Sequence, residues 1–349
     1  MTTTQQGWGA LGEAMVAAGV DYRPWLSQGL GPDECFVCAT RLGDSNRTKE
    51  DVIPFWMWRE IAKPRHPKPK IHLPNDSLYS RRIEVPACQP CNNNHLGKVE
   101  IEVSGAFKRG AEAVRALPQR TLRIWTAKIA YGLRRQDMRL SSNQRVPDAP
   151  PLAAAADLQK LSHLHTILQE CRGVVEISEG HSTFFVFESQ QVGCNVCDFD
   201  IAAPIGWPYP LMIRFGRVTL MGAVDDRGSL EELRVTREFA AADRLPLHPI
   251  QVRALWALLV HRSLLLREDR LPFRYGVSGG KLFLQRQPAQ GKFVDTEQEI
   301  ATADQILQGL IGTSAKALAR HGGVSGLLLL PGGTPRTMPF QHGVMSLGD

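Results

Sequence analysis

The stretch from Asp33 to Trp58, DECFVCATRLGDSNRTKEDVIPFWMW, carries two cysteines separated by two residues and, further on, two adjacent carboxylates. A second cysteine pair with the same spacing occurs in ACQPCNNNHLGKVE, residues 87–100. The four thiols belong to Cys35, Cys38, Cys88 and Cys91. Four thiolates in two close pairs are typical of a tetrahedral zinc site. We therefore predict a structural zinc ion that closes the intervening loop and contributes on the order of 10 kcal/mol to folding.

The alternative for the cysteines is two unrelated pairs, one of them redox-active in a thioredoxin-like setting. Such a pair usually opens a helix after a βαβ strand, and neither pair has that context. The chain has seven cysteines, an odd number that argues against a disulfide framework. It shows no secretory signal and no apolar run approaching the roughly 20 residues of a membrane helix. We expect a cytoplasmic protein that does not bind membranes.

The residues beside the cysteines suggest a second metal. Glu50 follows the first pair, and Asn92 directly follows Cys91. If zinc joins the two pairs, the Glu50 carboxylate and the Asn92 amide can converge, and oxygen ligands of this kind suit Mg²⁺ or Mn²⁺. Such a cation next to a basic surface is typical of enzymes that hydrolyse phosphodiesters.

The order C-x-x-C, then an acid before Val-Ile-Pro, then C-x-x-C-N resembles the HNH endonucleases of the ββα-metal (His-Me finger) type. It is most similar to the zinc-containing branch that includes phage recombination endonuclease VII, and CNNNHLGKVE resembles a segment of uncharacterised prokaryotic HNH proteins. The resemblance covers residues 33–105. It implies that Glu50 and Asn92 bind the catalytic Mg²⁺ or Mn²⁺, and it favours DNA over RNA as the substrate.

The chain departs from the family pattern at the general base, because Asp51 occupies the position of the family's histidine. A carboxylate with an ordinary pKa near 4 is a weaker base at neutral pH than an imidazole. Three hypotheses remain: Asp51 is the base, His95 supplies the imidazole, or the site no longer cleaves. Glu100 is either a solvated helix residue or a group that holds a second metal or an arginine.

Positive charge is concentrated in the first part of the chain. The net charge of the whole chain is +6, whereas residues 1–150 carry 22 Lys/Arg and 15 Asp/Glu. A proline-rich basic segment between the cysteine pairs predicts a stiff ribbon that follows a phosphate backbone. The predicted contacts are Lys63, Arg65, Lys68, Lys70, Arg81 and Arg82. The alternative is a solvated loop without fixed contacts.

The fold class predicted is α+β: an N-terminal zinc-stabilised ββα-metal module, helices, and a mixed α+β C-terminal domain. The predicted divisions are a helical lead-in (1–30), the HNH-like module (31–105), a basic helical segment and linker (106–150), a mixed α+β domain (151–330) and a disordered tail (331–349). Strands are expected in the second half, including a hairpin that turns at Gly216-Arg217, and a buried helix in LHPIQVRALWALLVHRSLLL.

The function predicted is a metal-dependent endonuclease acting on DNA, by analogy a restriction or phage-defence effector, whose C-terminal domain binds a protein partner or a signal. One alternative is a zinc-supported nucleic-acid-binding or assembly module that has lost cleavage. Another is a structural subunit whose main task resides in the C-terminal domain.

Overall fold

The computed structural model is a mixed α+β protein. It describes residues 12–20, 22, 29–61, 71–72, 78–79, 83–137, 146, 149–151, 161–191, 199–204, 206–268, 271, 273–287, 293, 299–312 and 314–338. Among the helices formed by these residues, none combines the length and the apolar character that a bilayer-spanning segment requires.

The N-terminal part contains a two-stranded antiparallel hairpin followed by a helix. Its elements are α1 (12–17), β1 (Arg47–Asp51), α2 (Phe55–Ile61), β2 (Ile71–His72), β3 (Leu78–Tyr79), β4 (Glu84–Cys88), a π-helical segment (Pro90–Leu96) and α3 (Gly97–Arg109). β1 pairs with β4, and the short β2 and β3 pair with each other. The π-helical segment continues directly into α3, so one helix follows the second cysteine pair.

Two further helices follow, α4 (Ala111–Arg115) and α5 (Gln119–Asp137). Because proline lacks the amide proton that a helix interior needs, the sequence predicts a helix break at Pro118, and the two helices lie on either side of it. Trp125 and Ile129 are fully buried, as their helical spacing predicts. α5 also buries polar residues, so it is surrounded by protein on nearly all sides.

In the second half of the chain, the described residues form two sheets. Its strands are β5 (Val175–Ile177), β6 (Thr183–Glu188), β7 (Phe199–Ala202), β8 (Pro210–Phe215), β9 (Val218–Ala223), β10 (Phe273–Ser278) and β11 (Lys281–Arg286). Four strands form an antiparallel sheet in the order β6-β9-β8-β7, and three form a sheet in the order β10-β11-β5. The predicted hairpin is confirmed: β8 and β9 pair on either side of Gly216, whose φ of 57° suits a tight turn.

Helices cover these sheets. They are α6 (Ser162–Leu168), α7 (Arg237–Ala242), α8 (Pro249–Leu264), α9 (Glu299–Ile311), α10 (Ala315–Arg320) and α11 (Gly323–Leu328). Short 3₁₀ segments occupy Gln169–Arg172 and Ser229–Val235. α8 is the buried helix that the sequence predicts, capped by the His248 side chain. Beyond α11, Leu329 forms an isolated antiparallel bridge with Pro335.

Two clusters of buried side chains organise the molecule. The first joins the cysteine pairs, α3 and α5 to α6, β5, β11 and one face of the four-stranded sheet. The second lies on the other face of that sheet, against α8, α9 and α11. Helices α5 and α6 therefore share one apolar core with the cysteine pairs, and this shared core fixes the position of the candidate site.

Candidate metal centre and the buried ion triad beside it

The four predicted zinc ligands converge. The Sγ atoms of Cys35, Cys38, Cys88 and Cys91 all lie within 4.8 Å of one another, and 3.6 Å separates Cys38 Sγ from Cys88 Sγ. A tetrahedral zinc ion with Zn–S bonds of about 2.3 Å places its sulfurs about 3.8 Å apart, so the spacing fits. It is the one group of three or more His, Cys, Asp or Glu side chains in the described residues that could hold a metal.

The thiols influence one another strongly. A hydrogen bond with Cys38 is the main reason that the pKa of Cys35 is raised, to about 12, and burial contributes to the same shift. Four thiolates at this spacing are costly unless a cation compensates for their charge. The chemistry of the donor set therefore agrees with structural zinc, which binds thiolates and releases their protons.

The first cysteine pair lies on a tight turn. The Cys35 amide donates to the Thr40 carbonyl over 2.9 Å. Gly29 packs so closely against this turn that an added Cβ would lie 2.0 Å from the Cys35 carbonyl oxygen, and its φ is 61°. Arg135 of α5 donates to the carbonyl oxygens of Gly29 and Gly31 over 2.9 and 2.6 Å. A distant helix thus holds the chain that leads into the turn.

A second support comes from α6 and the 3₁₀ segment after it. His165 Nε2 lies 2.9 Å from the Val37 carbonyl oxygen, and Gln169 Nε2 donates to the same oxygen over 2.6 Å. Because a carbonyl only accepts, His165 carries its proton on Nε2, and Nδ1 accepts from the Tyr22 hydroxyl over 2.9 Å. No sequence motif indicates these contacts, since they join residues more than a hundred positions apart.

Glu50, the predicted metal ligand, is buried and ion-paired. Its Oε1 lies 2.6 Å from Lys128 Nζ, and Lys128 Nζ lies 2.7 Å from Glu100 Oε1. The side-chain exposures are 8% for Glu50, 1% for Lys128 and 18% for Glu100. We call these three residues the ion triad. Burial raises the pKa of Glu50, and the charge of Lys128 opposes that shift.

Lys128 is the member of the triad that the sequence prediction missed. By sequence it is only one of several cations that add positive charge to this part of the chain. Its position in the apolar run RIWTAKIAYGL is the signal that could have found it, because a single lysine in a buried helix needs a buried counter-charge.

Two tryptophans complete the surroundings of Glu100. Trp125 Nε1 donates to Glu100 Oε1 over 3.0 Å, and Trp56 Nε1 donates to Oε2 over 3.1 Å. Burial lowers the affinity of Lys128 for its proton, but Glu100 and Glu50 outweigh that effect and raise the pKa of Lys128. Lys128 therefore stays charged. Neither predicted role of Glu100 matches this arrangement, because its partner is a lysine and the side chain is largely buried.

Asn92 lies on the same face of β1 as Glu50. Its Nδ2 donates to Thr48 Oγ1 over 3.1 Å and to the Lys49 carbonyl over 3.0 Å. Side chains two positions apart on a strand share a face, so Thr48 and Glu50 point to the same side, about 6–7 Å apart along the strand. The two acceptors fix the amide orientation and leave Oδ1 as the atom that could bind a cation. Glu50 pairs with Lys128, whereas Asn92 donates to Thr48 and Lys49, so the two side chains share none of these partners.

Asp51 points to the other face of the hairpin, because it is the next residue along the strand. It is half-buried and lies opposite Glu84 in the register of β1 and β4. Lys49 shares that face and forms an ion pair with Glu84 at 3.0 Å. A base at Asp51 would therefore act from the opposite side of β1 from Glu50, and its catalytic role stays a prediction.

His95, the other predicted base, is directed towards the 3₁₀ segment Gln169–Arg172. It hydrogen-bonds to the Cys171 backbone, and burial lowers its pKa, assisted by the positive charges of Arg172 and Lys98. A neutral imidazole can accept a proton, but this ring already has a partner on a different element. Its role as a base also stays a prediction.

The six predicted phosphate contacts, Lys63, Arg65, Lys68, Lys70, Arg81 and Arg82, lie outside the described residues. The basic ribbon is therefore an untested prediction. The described cations that line concave surface come from other segments.

Comparison with known proteins finds no match: no family model, no curated protein and no solved structure resembles this chain. The site alone therefore carries the inference of function.

Proposed function

We propose that this protein is a metal-dependent endonuclease of the HNH type that hydrolyses phosphodiester bonds in DNA. The observation that supports the proposal is the arrangement around the four thiols. They join the first turn to the junction of β4 and the following helix. Asn92, at the start of that helix, contacts Thr48 on the face of β1 that also carries Glu50. A carboxylate and an amide on one face of a zinc-supported hairpin suit a hard divalent cation.

In this proposal Glu50 and Asn92 hold Mg²⁺ or Mn²⁺, and the four cysteines hold zinc. The hard cation, when bound, stabilises negative charge on the phosphate oxygens and on the leaving oxygen. The contacts of Asn92 with Thr48 and Lys49 keep its amide oxygen in a fixed direction. Asp51 or His95 accepts the proton of the attacking water; the two remain alternatives.

Lys128 has a specific consequence for this site. Its ammonium group favours the ionised form of Glu50, against the effect of burial, and holds the carboxylate in place. A divalent cation at Glu50 therefore competes with a buried ammonium group, while Glu100 remains able to neutralise Lys128. We expect Mg²⁺ or Mn²⁺ to bind weakly in the absence of substrate, since the phosphate itself supplies further oxygen ligands.

The test is cleavage of plasmid DNA by the purified zinc-loaded protein with Mn²⁺ or Mg²⁺. Glu50→Ala should abolish cleavage, and Asn92→Ala should reduce it at least tenfold, with zinc content unchanged in both. Glu179→Ala, which removes an exposed carboxylate, is the matched control and should cut at the normal rate. Asp51→His should increase the rate if Asp51 occupies the position of the base.

A Glu50→Ala protein that is folded, contains zinc and cuts DNA as fast as the wild type would rule out Glu50 as the metal ligand. His95→Gln separates the two candidate bases, because it slows cleavage only if the imidazole takes part.

The second candidate function is nucleic-acid binding without cleavage. The ion pair between Glu50 and Lys128 favours it, because the carboxylate already has a cation, and so does the aspartate at position 51. This candidate predicts that neither the wild type nor Asp51→His cuts DNA or RNA, while both bind it with a strong dependence on salt concentration.

A further inference from the structure

A groove of about 650 Å³ lies where the N-terminal helices meet the four-stranded sheet. Its walls come from the end of α3, the start of α4, the β8–β9 hairpin and residues 243–246. Five cations line it: Lys108, Arg109, Arg115, Arg217 and Arg244. We call this cavity the basic groove. It is formed by both halves of the chain, so no single motif in the sequence indicates it.

Two of the five cations already have partners in the groove. Arg115 contacts Glu112 and lies 3.4 Å from Asp243, and Arg217 lies 2.6 Å from Glu188. These are the three carboxylates that line the cavity, which leaves its walls with a net charge of +2.

The other three cations are Lys108, Arg109 and Arg244, and all are exposed. Within the described part of the chain, none of them forms a salt bridge with a carboxylate. Three free positive charges around one concavity attract an anion with several charged groups, because long side chains of Lys and Arg reach phosphate oxygens without a fixed geometry.

The floor of the groove connects to the ion triad through one side chain. Phe107 and Phe215 line the cavity, and the Trp56 ring packs against both, with centroid distances of 5.7 and 5.1 Å. The same indole donates its Nε1 proton to Glu100. A strand that occupies the groove would therefore lie within one residue layer of the triad that contains Glu50.

We propose that the basic groove binds the phosphate backbone of the nucleic acid on which the candidate site acts. This inference rests on the proposed function for the class of substrate, and it assigns the contacts to Lys108, Arg109 and Arg244. The separate free cations favour a repeating polyanion over a single small anion. The groove acts through charge, so it contributes affinity and no sequence preference.

The experiment measures binding of a fluorescent DNA duplex to the full-length, zinc-loaded protein without added Mg²⁺ or Mn²⁺, over a range of salt concentrations. The triple variant Lys108→Gln, Arg109→Gln, Arg244→Gln should bind at least tenfold more weakly at low salt. The slope of log K against log salt should fall by about 2–3, close to 0.9 for each lost phosphate contact. Glu112→Gln should have the opposite effect and tighten binding, since it removes a negative charge from the wall of the groove.

The matched control removes the same amount of charge elsewhere, at the exposed cations Arg274, Lys316 and Arg320. Arg274→Gln, Lys316→Gln, Arg320→Gln should leave both the affinity and the salt slope within twofold of the wild type. Thermal unfolding confirms that both triple variants are folded.

The outcomes separate the groove from the cleavage chemistry. If the groove variant binds DNA with normal affinity and a normal salt slope, the basic groove does not bind the phosphate backbone. Cleavage of DNA by the same variant would show that the proposed endonuclease function still holds. If the groove variant binds DNA more weakly and the wild type never cuts DNA, the groove is supported as a phosphate-binding surface and the endonuclease function is wrong. A wild type that prefers an acidic peptide to DNA, or binds neither, overturns the groove as a nucleic-acid site.

Discussion

The two halves of the molecule each bury charged groups, but they arrange them in opposite ways. In the N-terminal half an ammonium group, Lys128, lies between two carboxylates beside the thiol cluster. In the C-terminal half a fully buried carboxylate, Asp225, accepts from His181 Nε2 over 2.8 Å and Trp207 Nε1 over 3.1 Å. Arg227 Nε lies 3.5 Å from the same carboxylate. The ion triad carries a net negative charge, whereas the charge of Asp225 is offset by donors around it.

This difference bears on the proposed Mg²⁺ or Mn²⁺ site. Hydrogen bonding to His181 and the charge of Arg227 outweigh the effect of burial and keep the pKa of Asp225 well below its ordinary value. That carboxylate is already satisfied, and it has no need of a metal. The triad, with one ammonium for two carboxylates, still has an unbalanced negative charge. The two centres therefore differ in a property that substitutions can measure.

The largest expected effect comes from the four cysteines that are the predicted zinc ligands. Cys88→Ser should lose the metal and most of its contribution to folding, which is on the order of 10 kcal/mol. Amide hydrogen exchange should accelerate in β1 and β4 more than in α8, because α8 packs in the second cluster. Metal analysis and thermal unfolding measure the effect, with Cys171→Ser as the control that should retain zinc. If Cys88→Ser still holds one zinc per chain and unfolds at the normal temperature, the four cysteines do not form the proposed zinc site.

Lys128→Met tests the ion triad directly. It leaves Glu50 and Glu100 facing each other without a counter-ion, and the loss of one partner from a buried pair costs about 3–5 kcal/mol. Mn²⁺ should then raise the unfolding temperature of the variant more than that of the wild type, because the competing ammonium is gone. Lys49→Met, which breaks the exposed pair with Glu84, should change the stability by about 1 kcal/mol or less. An equal response of both proteins to Mn²⁺ would show that no cation binds at Glu50.

The C-terminal centre should respond to pH. Burial lowers the pKa of His163 to about 4, while Asp225 opposes that shift. The unfolded chain therefore binds more protons than the folded one below pH 6.5, so this contribution to stability is complete above pH 6.5 and is lost as the pH falls towards 4. We expect a loss of about 1–2 kcal/mol between pH 7.5 and 5, and His163→Gln should show a flatter profile. Urea unfolding measures the free energy of unfolding of both proteins at each pH. If the wild type and His163→Gln lose the same amount between pH 7.5 and 5, His163 does not cause the loss.

The smallest expected effect concerns the link between the triad and the basic groove. Trp56→Phe keeps an aromatic ring against Phe107 and Phe215 but removes the hydrogen bond to Glu100. A bond to a charged acceptor contributes about 1–2 kcal/mol, so the free energy of unfolding should fall by that amount. Phe55→Leu, at an exposed neighbour, is the control. No shift in Trp56→Phe would mean that the indole does not support Glu100.

Local patterns predicted a good part of the fold. The hairpin at Gly216, the buried α8, the break at Pro118 and the mixed α+β class all follow from apolar periodicity and turn residues close together in the chain. The convergence of the cysteines was also predictable, because two cysteine pairs with the same short spacing are typical of a single tetrathiolate metal site. What these features share is that their physical cause lies within a short window or in the chemistry of one residue type.

The partner of Glu50 was not predictable in this way. Position 50 is an acid before a strand end, a pattern that suits a metal ligand, and nothing nearby shows that Lys128 is its partner. Only the packing of α5 against the hairpin brings that ammonium within 2.6 Å. The same holds for the support of Val37 by His165 and Gln169. Each of these contacts joins residues that are far apart in the chain.

The sequence by itself determined which groups the protein can use: four thiols for zinc, a carboxylate and an amide near them, and an excess of positive charge in the first 150 residues. The tertiary structure decided which of these groups meet. It paired Glu50 with a buried lysine, placed Asp51 on the opposite face of the strand, and formed a basic groove from two halves of the chain. The reason is physical: residue chemistry is local, whereas the pairing of buried charges depends on which helices and strands share a core.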